Sequence, residues 1–198
     1  MLSRLFKEEN YTLENRHNSR SKLYVYNMAI LRVHAIKSSA YNRAVMCGGD
    51  KVAYDTRELF ARLIQCEAGG EGYNGMQAVA SVIMNRATVP NGEFSRISNG
   101  GDVRAIITQR NQFTCLKTTV GGKNNPQNVY NMTPQEVHYE IADWALAGNT
   151  ASFVGDSLFF FNPYSKSCPD YFPTKVGKFF NRVGDHCFYS PTAQYANT

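Results

Sequence analysis

Glu67 is the residue whose setting best fits proton-transfer chemistry. It lies in the stretch Glu58-Leu-Phe-Ala-Arg-Leu-Ile-Gln-Cys-Glu67-Ala-Gly-Gly-Glu71, where Leu59, Phe60, Leu63 and Ile64 recur at helical spacing. Glu67 follows Leu63 by four positions and Ile64 by three, so it continues the same apolar stripe. A carboxylate on an inward face is costly unless it lines a cleft or has a partner. Gly69-Gly70 ends the helix just beyond it, where the helix dipole disfavours negative charge. Burial and dipole both push the pKa upward, as a general acid near neutral pH requires. The plainer reading is a solvated or arginine-paired carboxylate at a helix end. Glu71 is four residues further on, but the Gly-Gly break takes it off the helix and makes it a supporting residue rather than a partner on one face.

The elements that would hold these residues can be read in order. Thr56 is the expected cap of the helix leading to Glu67. Asn74 caps a second helix from Gly75 to about Ala87, with Met76, Val79, Ala80, Val82 and Ile83 inward, and Asn85 and Arg86 locking it by hydrogen bonds. Thr88 to Gly101 reads as a loop, because Pro90, Asn91-Gly92 and Asn99-Gly100-Gly101 punctuate it. Asp102 caps a short helix to Arg110. Thr119 to Asn131 is a polar, glycine-containing connection. Thr133-Pro-Gln-Glu136 is a capping box that opens a helix to about Ala147. Strands are expected from Ser157 to Pro163, from Lys175 to Phe180 and from His186 to Tyr189. Helices first and a few strands last make the fold class α+β.

The chain has 198 residues, enough for one domain and an extension. Residues 1–49 hold eight of the 21 Lys/Arg and three of the 16 Asp/Glu, so the whole net charge of +5 sits there and residues 50–198 are neutral. We divide the chain into a basic, weakly ordered extension (1–50) and a catalytic domain (51–198). A basic extension suits an anionic polymer or membrane surface, whereas the neutral domain argues against nucleic acid as a partner. No run is long enough for a transmembrane helix. Leu23 to Ile36 is interrupted by Asn27, Arg32 and His34, and gives no recognisable signal peptide. The cysteines are Cys47, Cys66, Cys115, Cys168 and Cys187, an odd set without a Cys-x-x-Cys pair. A mostly reduced state is expected, with one disulfide open to Cys115, Cys168 and Cys187, and a buried inert thiol at Cys66. No metal and no cofactor motif is found.

Cys66-Glu67-Ala-Gly-Gly-Glu71-Gly, the helix Ala-Val-Ala-Ser-Val-Ile-Met-Asn85-Arg86, Gln112-Phe113-Thr114, Phe159-Phe160-Phe161-Asn162-Pro163 and Gly184-Asp-His186-Cys-Phe188-Tyr189 stand in one order over about residues 54–190. Together they resemble the SleB/CwlJ group of cell-wall hydrolases, the spore cortex-lytic enzymes of spore-forming bacteria. Cys66 stands where that family often has glycine, and Gly70 where arginine is common. The resemblance implies a predominantly helical, lysozyme-like domain with a small C-terminal antiparallel sheet. It implies lytic transglycosylase cleavage of peptidoglycan between N-acetylmuramic acid and N-acetylglucosamine, with Glu67 as the catalytic acid and then base. The implied setting is the spore cortex, coat or cell envelope, in germination or wall remodelling, with peptidoglycan glycan strands as substrate and spore-coat or cortex proteins as candidate partners.

Glu71, Tyr73, Gln112, Phe113, Thr114 and Asn162 are the expected substrate-binding residues. Thr114 is a candidate hydrogen-bond partner of Glu67 and Asn162 a candidate for an acetamido group, although each also fits a plain turn. Tyr73 and Phe113 would flank sugar rings or pack in the core, and His186 is read as a structural imidazole. Three rivals remain. A zinc amidase needs about three N/O/S ligands, but the domain offers only His138 and His186 as histidines. A cysteine peptidase would pair Cys66 with His186, although Cys66 should lie about 100° around the helix from Glu67. The third rival is a binding protein without turnover.

Overall fold

The computed structural model describes residues 54–172 and 175–198, so the extension 1–50 and the boundary beside it lie outside the described residues. The first helix, α1, spans Thr56–Ala68. Its cap is Asp55 rather than Thr56: the Asp55 carboxylate accepts the Glu58 amide hydrogen at 2.7 Å. Asp is as good a cap as Thr and adds a negative charge at the positive end of the dipole. Leu59, Phe60, Leu63 and Ile64 are all buried, as the stripe requires.

Two polar devices hold α1 in place. Arg62 donates to Glu58 at 2.5 Å and to the Val129 carbonyl at 3.0 Å, and its guanidinium lies 3.9 Å from the centre of the Tyr54 ring. Glu58 in turn accepts from the Tyr139 hydroxyl at 2.6 Å. This network is largely shielded from water. The Arg57–Asp143 pair is half-exposed, and such pairs contribute at most about 1 kcal/mol. The shielded network is the stronger tether.

Helix α2 spans Gly72–Thr88, starting earlier than Asn74 would place it. Glu71 occupies the cap position but makes no capping bond, because its carboxylate is drawn toward the sheet. Asn85 donates to the carbonyls of Gly155 and Ser157 at 2.9 and 3.1 Å, and Arg86 Nε donates to that of Leu158 at 2.7 Å. The expected lock is therefore a clamp between α2 and the start of the sheet.

The expected loop from Thr88 to Gly101 contains a helix, α3, over Gly92–Ser98. Tertiary contact overrides its turn-like composition: Phe94 is buried beside Tyr195, whose hydroxyl accepts from the Phe94 amide at 3.1 Å. Gly92 has φ +72°, and a Cβ there would lie 2.6 Å from the Tyr195 ring. Helix α4, Val103–Thr108, is capped by Asp102 as expected but stops before Arg110.

Helix α5 spans Glu136–Leu146 and packs on α1 and α2. Its capping box joins Gln135 and His138, two residues later than Thr133 would set it. Thr133 precedes a proline, which disfavours helical backbone, and its carbonyl is occupied by the Gln65 amide at 3.0 Å.

Between α4 and α5, the expected polar connection holds a minimal antiparallel hairpin, β1 (Thr119–Val120) with β2 (Lys123–Asn124). The C-terminal sheet comprises β3 (Phe159–Phe161), β4 (Tyr171–Phe172), β5 (Gly177–Val183) and β6 (His186–Pro191). Its order is β3-β6-β5-β4, antiparallel throughout. The α+β class holds. Cys168 and Cys187 form the disulfide, which leaves Cys115 out of it and ties the segment after β3 to β6. Among the described residues, no helix is long and apolar enough to cross a membrane.

The core under α1 makes Leu63→Ala costly, with an expected loss of about 2–5 kcal/mol in urea unfolding. The disulfide spans 19 residues, so Cys168→Ser should lower stability by about 2–4 kcal/mol in the same measurement.

Candidate active site

Glu67 occupies the last turn of α1, held by the buried Leu63 and Ile64 one turn earlier. Its side chain lines two cavities. The larger, about 470 Å³, is walled by Gln65, Cys66, Glu71, Gln127, Met132 and His138 among others. The smaller, about 260 Å³, is formed by Arg86, Gln112, Phe113, Phe160, Phe161, Asn162, Tyr164 and His186. Glu67 is thus shared by both, a placement that suits a group acting on a bond between two bound units.

Desolvation pushes the Glu67 carboxyl above its usual range. Three weaker influences oppose this: a hydrogen bond from the Cys115 thiol, then the charges of His186 and Arg86. Burial outweighs them. The thiol can donate because Cys115 is itself held far above its usual range, chiefly by its hydrogen bond with Cys66 and by burial, and further by the charge of Glu67.

Arg86 is buried, and its pKa is lowered by that burial to about 10, so it remains a cation at neutral pH. It lies 4.6 Å from the centre of the Phe94 ring and 5.5 Å from that of Phe113. Nε is used on Leu158, but Nη1 has no hydrogen-bond partner. An unpaired buried donor beside a carboxylate is a device for stabilising negative charge when it forms.

Glu71 is committed to the scaffold. One carboxylate oxygen accepts the Asp185 amide at 2.7 Å, and the other lies 3.5 Å from His186 Nδ1. Gly184 permits this approach. Its φ is +58°, and a Cβ there would come 2.1 Å from the Glu71 oxygen. His186 is therefore not merely a terminal structural imidazole, since it lines the smaller cavity and acts on the charge of Glu67.

The structure brings Glu67, Gln112, Phe113 and Asn162 to the smaller cavity and Glu71 to the larger one. Phe113 is nearly all core. Asn162 Oδ1 accepts from the Tyr164 amide at 2.7 Å, which leaves its amide nitrogen for a ligand. Tyr73 is half-exposed at the start of α2 and lines neither cavity. Thr114 is exposed, and its neighbour Cys115 meets Glu67 in its place, because the short helical turn Thr114–Leu116 points the cysteine inward. Cys66 also departs from expectation. Its sulfur shares the cavity wall with Glu67 rather than lying off to one side, and donates to the Gln127 carbonyl at 2.9 Å. Cys66 and His186 line different cavities, which leaves the cysteine-peptidase pairing unassembled.

Sequence reasoning missed Cys115, Arg86 and His186 as members of this site. The usable signal was the placement of Arg86 and His186 within ordered motifs; Cys115 carries none.

Comparison with known proteins places the chain in a family. The family model described as Cell Wall Hydrolase matches residues 70–189, a span that begins three residues after Glu67. The cell wall hydrolase CwlJ of Bacillus subtilis (strain 168) is 27% identical over 137 residues, covering 69% of this chain and 86% of the relative. CwlJ of Oceanobacillus iheyensis is 30% identical over 138 residues, with the same coverage of each chain. Among solved structures, the catalytic domain of the germination-specific lytic transglycosylase SleB from Bacillus anthracis aligns with TM-score 0.49 and 23% identity, covering 71% of this chain and 100% of that one. The catalytic domain of Bacillus cereus SleB aligns with TM-score 0.48, also at 23% identity, over 72% of this chain and 100% of that one. The family model covers more than half of the sequence, and the chain belongs to the cell wall hydrolase family.

Proposed function

We propose that the domain cleaves peptidoglycan glycan strands as a lytic transglycosylase, with Glu67 as its single acid and base. Membership of the cell wall hydrolase family supports peptidoglycan lysis. The observation that carries the finer reading is one carboxyl raised by burial in the wall common to two cavities, with Glu71 committed to Asp185 and His186.

Protonated Glu67 donates its hydrogen to the glycosidic oxygen, and the bond from that oxygen to C1 of the muramyl unit breaks. The resulting carboxylate takes the proton of the muramyl 6-hydroxyl, whose oxygen closes on C1. The products are an N-acetylglucosamine end and a 1,6-anhydromuramic end, and no water is consumed. Between the two transfers Glu67 is anionic, and Arg86, with its free Nη1, and His186 stabilise that charge. Gln112, Phe113 and Asn162 contact one sugar unit, Glu71 borders the next, and Tyr73 and Thr114 lie at the outer margin. Hydrolysis through two carboxylates would need Glu71 free to activate water. An amidase with histidine-held zinc would need the domain's two histidines to meet, yet His138 and His186 line separate cavities and His138 Nδ1 is engaged by Gln135. The setting we assign is the spore cortex or cell envelope, in germination or wall remodelling.

Digestion of purified peptidoglycan by the full chain, read by mass spectrometry, should give anhydromuramic ends. Reducing ends would mean water is the acceptor, and freed stem peptides would mean an amidase. Glu67→Gln should lower kcat by about 10²–10⁴-fold, the usual contribution of a general acid.

The same carboxyl sets the pH response. Only its protonated form is the acid, so activity is present below the raised pKa and lost as pH rises through it. Its folded pKa lies above its unfolded value, so the folded state holds the proton more tightly and loses stability as pH rises between the two. Glu67→Gln should remove that loss and raise Tm at neutral pH, as seen by calorimetry.

A further inference from the structure

The end of α1 carries a second chemistry that proton transfer does not use. Cys66 Sγ, a Glu67 carboxylate oxygen and Cys115 Sγ all lie within 4.8 Å of one another. Neither cysteine is in a disulfide. The ligand-type atoms come from the last turn of α1 and from the turn Thr114–Leu116, which pack together. Tetrahedral zinc, with bonds of about 2.3 Å to sulfur and about 2.0–2.2 Å to carboxylate oxygen, sets its ligand atoms about 3.6–3.8 Å apart. The observed limit exceeds that by about 1 Å, within reach of small side-chain rotations.

The donor set is selective. Two sulfurs favour zinc and other thiophilic ions, whereas magnesium and calcium seek oxygen and more ligands. Three protein ligands leave a fourth position for water, the arrangement of an open zinc site. With two thiolates, one carboxylate and a divalent ion, the cluster carries one net negative charge. The buried Arg86 cation, close enough to act on Glu67, offsets it. Cys66 and Glu67 line the 470 Å³ cavity, which gives an ion its path inward.

We infer that Cys66, Glu67 and Cys115 bind a thiophilic divalent cation, zinc by its chemistry, and that the bound ion withholds Glu67 from proton transfer. Binding releases the two thiol protons and the Glu67 carboxyl proton to solvent and makes the Glu67 carboxylate a ligand. The inhibitory half rests on Glu67 being the acid of the proposed function. The binding half stands without it.

Anaerobic titration of the full chain with cobalt(II), its Cys168–Cys187 disulfide intact, reads the binding half. One equivalent should produce thiolate-to-cobalt absorption that zinc displaces. Cys66→Ser and Cys115→Ser should abolish it, and Cys47→Ser should retain it. Glu67→Gln should weaken affinity by at least about tenfold, since even outer-sphere partners of a metal are worth about 10–100-fold. If Cys115→Ser does not fold, Cys66→Ser and Glu67→Gln decide the matter. Absence of the absorption, or its survival in Cys66→Ser, overturns the site.

Glycan cleavage reads the inhibitory half. Saturating zinc should reduce the wild-type rate by at least about tenfold, reversibly with chelator, the loss expected when a ligand-held carboxylate cannot act as an acid. Cys66→Ser, relative to its own metal-free rate, should lose that sensitivity. Cobalt absorption without zinc inhibition would overturn the inhibitory half, and the activity of metal-free Glu67→Gln decides the role of Glu67 as acid separately. Failure of binding alone would leave that role untouched.

Discussion

The desolvation of one carboxyl at the end of α1 is the constraint on which the rest of the site depends. Leu63 and Ile64, fully buried one turn earlier, fix the face on which Glu67 must emerge. A carboxyl there, fully paired, would titrate below the ordinary range and be a poor acid. Left wholly unpaired, it would cost the fold too much. The structure lies between these limits. Cys115, His186 and Arg86 each favour the charged form, and burial outweighs them. The group is raised, yet its anion has neighbours ready to receive it.

Those neighbours arrive from three directions, so the helical layer and the sheet must be held in register. Asn85 and Arg86 clamp α2 to the carbonyls of residues 155, 157 and 158. Glu71 holds the β5–β6 turn through the Asp185 amide, and only a glycine at 184 admits its carboxylate. That contact sets His186 beside the site. The Cys168–Cys187 bridge secures the same end of that strand pairing, where Cys187 lies opposite Arg182 and Phe161, next to the segment that carries Asn162 and Tyr164. A second acid near the first is thus used to build the site, and the one-carboxyl mechanism we propose rests on that division of labour.

Local patterns made much of this legible. The period of Leu59, Phe60, Leu63 and Ile64 identified both the buried face and the acid that continues it, and Asp102 announced its own helix. The ordered motifs reached Gln112, Phe113 and Asn162. Long-range contacts were another matter. Cys115 meets Glu67 from 48 residues away through a short turn that no periodicity marks. Helix α3 forms from a stretch with turn composition because Phe94 finds Tyr195, a partner 101 positions on. The cap of α5 moved from Thr133 to Gln135 because Gln65, on a different helix, had taken the Thr133 carbonyl. In each case tertiary structure chose among local options of similar energy.

The central claim is that Glu67 is protonated where an ordinary glutamate is already ionised. Carbon-13 NMR titration of the glutamate side-chain carboxyls in the full chain tests it most directly, with Glu67 assigned by its absence in Glu67→Gln. The account predicts a midpoint above the ordinary value of about 4.3. A midpoint at or below that value would show that Cys115, Arg86 and His186 outweigh burial, and would contradict the assignment of Glu67 as the acid.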